Sequence, residues 1–195
     1  MVTRVLFIVL VLAVAVQRLF EVRKSQRNER QLRARGGREH APGHFRVMQA
    51  LHASWLVAMC VEVWWLERVA DPLVAALAAI AFGLGQLLRL SAMRALRERW
   101  TVRIITLPGE APVANGIYRH VRHPNYLGVV LEIGALPLVH GAVLTALLFS
   151  AANAALLAFR IRHEERALAS DSDYSARLGA LPRFVPRLSA TRGEP

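Results

Sequence analysis

The sequence predicts an all-α, polytopic membrane protein with about five transmembrane helices, the last two forming a tight hairpin. Two observations carry this prediction. The 195 residues are 54% hydrophobic, and the apolar residues cluster in stretches close to the about 20 residues that a helix needs to cross a bilayer. The Lys and Arg residues gather between these stretches. Because no internal repeat or linker divides the chain, residues 1–195 are predicted to form a single membrane domain.

Each predicted span follows from its own apolar stretch. In chain order the spans are residues 2–20, 47–66, 72–90, 126–139 and 142–160. The first helix is predicted to continue beyond its span to about Arg35, where Gly36 ends it. The fourth and fifth spans are closely spaced around Pro137 and Gly141, which predicts the hairpin.

The charge distribution predicts the orientation in the membrane. Most of the 25 Lys and Arg residues fall within residues 21–46, 93–124 and 160–195. With five spans, the positive-inside rule then places the N-terminus outside and both basic loops and the C-terminus in the cytoplasm. The sequence pI of about 11.4 is explained by basic loops beside anionic membrane lipids, so nucleic-acid binding is not expected.

The single cysteine, Cys60, lies inside the second span. One cysteine builds neither a disulfide nor a thiolate metal site within a chain, and no metal site is predicted.

Residues 116–128 are the most informative stretch, because cations, imidazoles and tyrosines directly precede an apolar segment. Pro124 forces His123 towards an extended backbone, so the next helix is predicted to begin near Asn125 with its free N–H groups exposed. A helix N-terminus together with Arg119 and Arg122 suits a carboxylate or phosphate group. The alternative interpretation is a basic interfacial turn without a ligand.

Aromatic and glycine residues of the same stretch extend this interpretation. Tyr118 and Tyr126 supply aromatic faces that attract a cation such as a sulfonium. Gly116 and Gly128 permit close approach of a ligand.

A second polar cluster follows the fifth span. Arg160 and Glu164 are spaced for an interfacial ion pair, which is the simpler interpretation. Alternatively, Glu164 and Glu165 bind ribose hydroxyls or an ammonium group, if the hairpin brings them beside Arg122 and His123.

The C-terminal half, residues 113–187, resembles the isoprenylcysteine carboxyl methyltransferase family of integral membrane enzymes. The matching features are Gly116-x-Tyr118, Arg122-His-Pro-Asn-Tyr126-x-Gly128, Glu164-Glu165, Tyr174 and the ending from Pro182 to Pro186. The resemblance implies S-adenosylmethionine as methyl donor, bound on the cytoplasmic side, and a lipophilic acceptor that enters from the bilayer. The residues predicted to bind this cofactor are Gly116, Tyr118, His123, Pro124, Tyr126, Gly128, Glu164 and Glu165.

The acceptor decides which residues are catalytic. A carboxylate acceptor, such as a prenylated cysteine, needs a cation, for which Arg122 and Arg160 are the candidates. A phenol or enol acceptor gains from a base, and His123, His120 and Glu165 are the candidates.

The N-terminal half resembles a bacterial subgroup that methylates alkylresorcinol or alkylpyrone lipids, which implies a bacterial cell membrane. The residues concerned are Arg23 to Asn28, Gly36-Gly37, His52 and Trp55. His52, Trp55 and Glu132 are the predicted substrate-binding residues, although packing within a span is the more common explanation for a pair such as His52 and Trp55. Glu62 is predicted near the outer surface.

Two other classes of protein share part of this pattern. A nicotinamide-dependent membrane reductase has the Arg-His-Pro-x-Tyr block, as sterol reductases do, but about twice as many spans. A non-catalytic membrane scaffold has spans and basic loops but no need for two polar clusters at one membrane face.

Overall fold

The computed structural model describes residues 1–185 and is nearly all-α. The predicted ending at Pro186 and the last residues of the motif region therefore lie outside the described residues. In chain order the elements are α1 Val2–Ala34, β1 Arg38–His40, α2 His44–Trp65, α3 Pro72–Leu96, a 3-10 turn Arg97–Arg99, β2 Ile104–Thr106, a 3-10 turn Gly116–Arg119, α4 Pro124–Leu138, α5 Val143–Asp171 and α6 Tyr174–Leu178.

Helix ends follow local sequence signals. α1 ends at Ala34, one residue before the predicted position, and Gly36 then has a φ of 86°. Asp71 caps α3 by accepting hydrogen bonds from the backbone N–H groups of Leu73 and Val74. α4 begins at Pro124. The fixed φ of proline favours this residue at the first position of a helix.

The chain is a polytopic membrane protein, as predicted. Four helices, α1, α2, α3 and α5, are long and apolar enough to cross a membrane, and their outward faces expose large apolar side chains such as Leu6, Leu12, Leu77 and Leu148. α4 has 15 residues, fewer than the about 20 of a typical span. A fifth span and a membrane hairpin of α4 with α5 therefore stay predictions.

A short antiparallel ladder joins the two basic loops, which the sequence did not predict. β1 pairs with β2, with Arg38 opposite Thr106 and His40 opposite Ile104. Strands of three residues are too short to carry a periodic pattern, so the pairing is decided by the helices that bring the loops together. Consequently both basic loops lie at the same end of the bundle.

The core lies where α1, α2 and α4 meet. Its buried members include Phe7, Trp55, Met59, Ile133 and Leu136. Trp55 Nε1 donates a hydrogen bond of 3.2 Å to the backbone oxygen of Ile133. The packing fixes where α4 begins, and hence where the polar motif before it sits.

Glu62 stabilises the beginning of α5. Its carboxylate accepts hydrogen bonds from the backbone N–H groups of Leu144 and Thr145 at 3.1 and 2.7 Å, and contacts Arg68 at 3.1 Å. This carboxylate therefore belongs to the end of the bundle opposite the basic loops.

Candidate active site

A polar cavity lies at the end of the bundle that carries the basic loops. The 3-10 turn at 116–119, the start of α4, the end of α5 and α6 contribute its polar walls. Among its lining residues are Tyr118, Arg122, His123, Tyr126, Glu164 and Tyr174. Side chains from both predicted polar clusters therefore border one cavity.

Glu165 joins three cationic or imidazole side chains. Its carboxylate lies 3.0 Å from His123 Nε2 and 3.1 Å from Arg122 Nη1. Arg183 donates two further hydrogen bonds to it, at 3.1 and 2.7 Å. These partners hold the carboxylate in place and restrain Arg122 and His123 beside the cavity.

Main-chain hydrogen bonds attach the C-terminal segment to the same place. The backbone N–H of Arg122 donates to the oxygen of Pro182 at 3.0 Å, and that of His123 donates to the oxygen of Arg183 at 2.9 Å. The ring of Phe184 lies 6.4 Å from that of His123. The segment after α6 thus covers one side of the motif that precedes α4.

Tyr126 links Glu164 to Arg160. Its hydroxyl donates a hydrogen bond to Glu164 and accepts one of 2.6 Å from Arg160 Nε. Its ring stacks on that of His123 with centroids 5.3 Å apart. The two adjacent glutamates accordingly have different partners: Glu164 borders the cavity and Glu165 anchors the surrounding cations.

His44 orients Arg160 from the other side. Its Nδ1 contacts the backbone oxygen of Ala41, which only accepts hydrogen bonds, so Nδ1 carries the proton. Nε2 is then free to accept a hydrogen bond of 2.6 Å from Arg160 Nη1. Arg160 is 4% exposed and has no carboxylate partner within residues 1–185, so it is a buried positive charge available to an anion.

Four side chains that border the polar cavity each have a buried polar atom without a hydrogen-bond partner in the described part of the chain. These atoms are Nε of Arg122, Nε1 of Trp100, Oδ1 of Asn125 and the hydroxyl of Tyr174. Buried polar groups are nearly always satisfied in proteins, so these atoms point to a ligand or solvent.

Burial keeps two phenols of the polar cavity neutral. Burial, followed by the charge of Glu165, raises the pKa of Tyr174 to about 12. Burial, followed by the charge of Glu164, likewise raises the pKa of Tyr118. A phenol is already protonated at neutral pH, so both hydroxyls remain hydrogen-bond donors well into the alkaline range.

A second, largely apolar cavity of about 400 Å³ adjoins the polar one. α1, α2, α4 and α5 supply apolar lining side chains such as Leu19, Leu56, Val129 and Leu157. The residues that border both cavities are Trp100, Thr101, Asn125, Tyr126 and Arg160. The two cavities therefore meet at Tyr126 and Arg160.

The structure separates the predicted cofactor residues into two groups. Those that border the polar cavity are Tyr118, His123, Tyr126 and Glu164; those that do not are Gly116, Pro124, Gly128 and Glu165. Gly128 instead lies where α4 crosses α3, because a Cβ there would be 2.6 Å from Arg89 Cγ. Pro124 is buried at the first turn of α4.

The remaining predicted residues are also separated. Arg122 and Arg160 border the polar cavity, and His52 borders the apolar one. Trp55 packs in the core, and Glu132 contacts Arg18 and Arg89 without bordering either cavity.

Sequence reasoning did not single out His44 or Asn125 as site residues. Asn125 stands inside the motif, and its position between Pro124 and Tyr126 is the signal that was available. His44 has no such signal, because it reaches Arg160 across 116 residues of chain.

Comparison with known proteins identifies the family. The model of the isoprenylcysteine carboxyl methyltransferase (ICMT) family matches residues 76–170. The chain is 32% identical over 163 residues to the "Uncharacterized protein YpbQ" of Bacillus subtilis (strain 168), covering 84% of this chain and 96% of that protein. It is 28% identical over 153 residues to an "Uncharacterized protein" of Haemophilus influenzae, covering 77% of this chain and 88% of that protein.

The family match includes the loop at Trp100 and Thr101, the start of α4 and most of α5, which together form the junction of the two cavities. With these bacterial relatives, it confirms the resemblance drawn from the motifs. The chain belongs to the isoprenylcysteine carboxyl methyltransferase family of membrane methyltransferases.

Proposed function

We propose that the protein transfers a methyl group from S-adenosylmethionine to an oxygen atom of a lipophilic acceptor at the cytoplasmic face of a bacterial cell membrane. The observation that carries this proposal is the meeting of a polar and an apolar cavity at Asn125, Tyr126 and Arg160. A charged, water-soluble donor and a lipid acceptor need pockets of different polarity. The two pockets must nevertheless adjoin, because the reacting atoms have to come within about 3–3.5 Å of each other.

The polar cavity has the groups that the donor requires. Arg122, whose Nε lacks a partner, suits the donor's carboxylate, and Asn125 Oδ1 suits an ammonium or hydroxyl group. Glu164 is the carboxylate available for ribose hydroxyls, and the ring of Tyr126 faces a cationic sulfonium favourably. S-adenosylmethionine supplies an electrophilic methyl group, whose S–C bond breaks as the acceptor's O–C bond forms.

The polar cavity encloses about 140 Å³, which is less than the roughly 300–1,000 Å³ of pockets that bury a ligand of this size. The donor would therefore be partly enclosed by the described residues and extend out of the cavity.

Arg160 is placed to hold the acceptor oxygen. It is buried, borders both cavities and has no carboxylate partner within residues 1–185. A guanidinium favours the anionic form of a carboxylate, phenol or enol, and the apolar cavity accommodates the attached chain. His123 and Glu165 hydrogen-bond to each other. We therefore propose that they position Arg122 and Tyr126 and do not act as bases.

Donor binding to the detergent-purified full chain tests the proposal. Calorimetry is expected to show saturable binding of S-adenosylmethionine and none of the nicotinamide dinucleotides. Arg122→Ala is expected to weaken donor binding at least about tenfold because a charged hydrogen bond is lost. Arg119→Ala is the matched control, since Arg119 is exposed on the adjacent 3-10 turn.

Other outcomes would replace the proposal. Selective dinucleotide binding would indicate a membrane reductase. No binding of either compound would favour a non-catalytic scaffold. Unchanged donor affinity in folded Arg122→Ala would show that the donor does not use this cavity.

A further inference from the structure

Four charged side chains form a closed ring of ion pairs inside the bundle. Arg18 lies 2.6 Å from Glu21 and 2.5 Å from Glu132. Arg89 lies 2.5 Å and 3.0 Å from the same two carboxylates. We call this set, supplied by α1, α3 and α4, the charge ring.

The charge ring sits within helices that are otherwise apolar. Glu21, Arg89 and Glu132 are each at most 8% exposed. Charges in a membrane interior are costly and usually mark a functional position, even when they pair with one another. Part of the benefit is structural, because the ion pairs connect three helices.

A purely structural ring would not need to border a cavity. Arg18, Glu21 and Arg89 all line the apolar cavity, to which Arg160 also contributes. The side chains that surround them there are mostly apolar, such as Ala15. The charge ring is thus a polar patch on an apolar wall of the proposed acceptor site.

The charge ring leaves hydrogen-bonding capacity unused. Nε of Arg18 and Nε of Arg89 are buried donors without a partner in the described part of the chain, and Oε1 of Glu132 is an acceptor in the same condition. Glu132 does not border the cavity, but Arg18 and Arg89 do. Since buried polar groups are normally satisfied, their two unpaired donors favour a polar ligand group nearby.

The balance of charge defines the chemistry of that group. Two guanidinium groups are already neutralised by two carboxylates. Both carboxylates would repel a further anion. A neutral hydroxyl, by contrast, can accept a hydrogen bond from an arginine and donate one to a glutamate. Arg160 differs because no carboxylate within residues 1–185 contacts it directly; its side-chain partners are Tyr126, His44 and Met48.

We propose that the charge ring is a second polar subsite of the acceptor cavity, which binds a neutral hydroxyl or carbonyl group of the acceptor's head group while Arg160 holds the oxygen that is methylated. The role given to Arg160 rests on the proposed function. The subsite itself predicts that the protein prefers lipids with two polar groups on the head over lipids with one.

Binding of a matched pair of lipids tests the subsite. The probes are tritium-labelled 5-pentadecylresorcinol and 3-pentadecylphenol, which share the alkyl chain and differ by one hydroxyl. Scintillation proximity with the purified full chain measures their affinities without any methyl donor. The dihydroxy lipid is expected to bind at least about tenfold more tightly, because the monohydroxy lipid leaves the buried ring unsatisfied.

A double variant links the preference to the charge ring. Arg18→Leu with Glu21→Leu removes one cation and one anion, so Arg89 and Glu132 remain paired at 3.0 Å. The preference is expected to fall to about twofold or less. Leu56→Met is the control, because Leu56 lines the same cavity without belonging to the ring, and it should change both affinities equally.

Equal wild-type affinities, no binding of either lipid, or a full preference in the folded double variant would overturn the proposal. The wild-type comparison stands even if the double variant does not fold. Methyl transfer is a separate readout: a lipid that binds with the expected preference but is never methylated would contradict the proposed function and leave the subsite intact.

Discussion

Arg160 is a buried guanidinium at the junction of the two cavities, and its two hydrogen bonds fix its orientation. Nε donates to Tyr126 and Nη1 donates to His44. The bond to His44 depends on the neutral tautomer with its proton on Nδ1, which the backbone oxygen of Ala41 selects. A single residue far away in sequence therefore sets the direction of the charge proposed to hold the acceptor.

His44→Ala is expected to lower kcat for methyl transfer roughly tenfold, because Arg160 loses an acceptor that orients it. Donor affinity should not change, since His44 borders neither cavity. His44→Gln supplies an amide oxygen as acceptor and is expected to recover part of the rate. Steady-state kinetics with radiolabelled donor measure the effect. Equal losses in His44→Ala and His44→Gln would contradict the positioning role.

Arg160→Gln removes the charge and keeps a hydrogen-bonding group. We expect kcat/KM for the acceptor to fall at least about a hundredfold, because the variant lacks the charge that stabilises the acceptor oxygen during transfer. Donor binding by calorimetry is the check on folding. Near-wild-type kcat/KM would remove Arg160 from the proposed mechanism.

At the scale of the elements, α3 and α4 approach closely because glycines face each other. A Cβ on Gly128 would lie 2.6 Å from Arg89 Cγ and 2.7 Å from the backbone oxygen of Gly85. The close spacing of the two helices thus depends on the absence of side chains at these glycines, and Arg89 of the charge ring lies against this contact.

Gly128→Ala is expected to reduce the free energy of unfolding by about 1–3 kcal/mol, because the added methyl group overpacks the contact. Gly83→Ala on α3 is the matched control. A Cβ at Gly83 meets nothing within 4 Å, so this substitution should stabilise the helix by up to about 1 kcal/mol. Thermal unfolding in detergent compares the two; equal stability of Gly128→Ala and wild type would contradict the close packing.

The ladder of β1 and β2 is strengthened by Glu39, which accepts hydrogen bonds from Arg33 and Arg103. Burial raises the pKa of Glu39, but the two guanidinium groups outweigh it and the net pKa is below its usual value. A carboxylate with a lowered folded-state pKa stabilises the fold above its unfolded pKa, about 4.3, and this contribution is lost as the pH falls through the folded-state pKa.

Glu39→Gln is therefore expected to lower the Tm at pH 7, and the difference from wild type should shrink as the pH is lowered below about 4. Exposed Glu98 is the control, and Glu98→Gln should leave the Tm unchanged at both pH values. A Tm difference for Glu39→Gln that is independent of pH would show that its charge does not contribute.

At the scale of the whole molecule, two contacts place the basic segments at one end of the bundle. β1 pairs with β2, and the backbone at Arg122 and His123 bonds to residues 182 and 183. The positive-inside rule, applied to this shared end, supports a cytoplasmic location for both loops and the C-terminal segment.

Thiol labelling in intact bacterial cells checks the orientation. In a Cys60→Ser background, Val69→Cys lies between α2 and α3 and is expected to react with a membrane-impermeant maleimide from outside. Ala114→Cys, in the basic loop before α4, should react only after the cells are permeabilised. The reverse pattern would invert the orientation, and reaction of both in intact cells would contradict the topology.

Local chemistry let the sequence by itself determine several features of this protein. Apolar length predicts membrane helices, Gly36 ends α1 and Pro124 begins α4, because each effect acts within one or two turns. The motif from Gly116 to Gly128 and the paired glutamates identify the family, which the family comparison confirms. The assignment of individual residues to ligands remains a prediction.

Long-range packing decided the rest. The ladder of β1 with β2, the partner of each paired glutamate, the bond of His44 to Arg160 and the charge ring mostly join segments that are far apart in the sequence. The contacts of Arg160 span 34 and 116 positions, and the contact of Arg18 with Glu132 spans 114. No local periodicity encodes such pairs, because a side chain's partner depends on which helices become neighbours in the bundle.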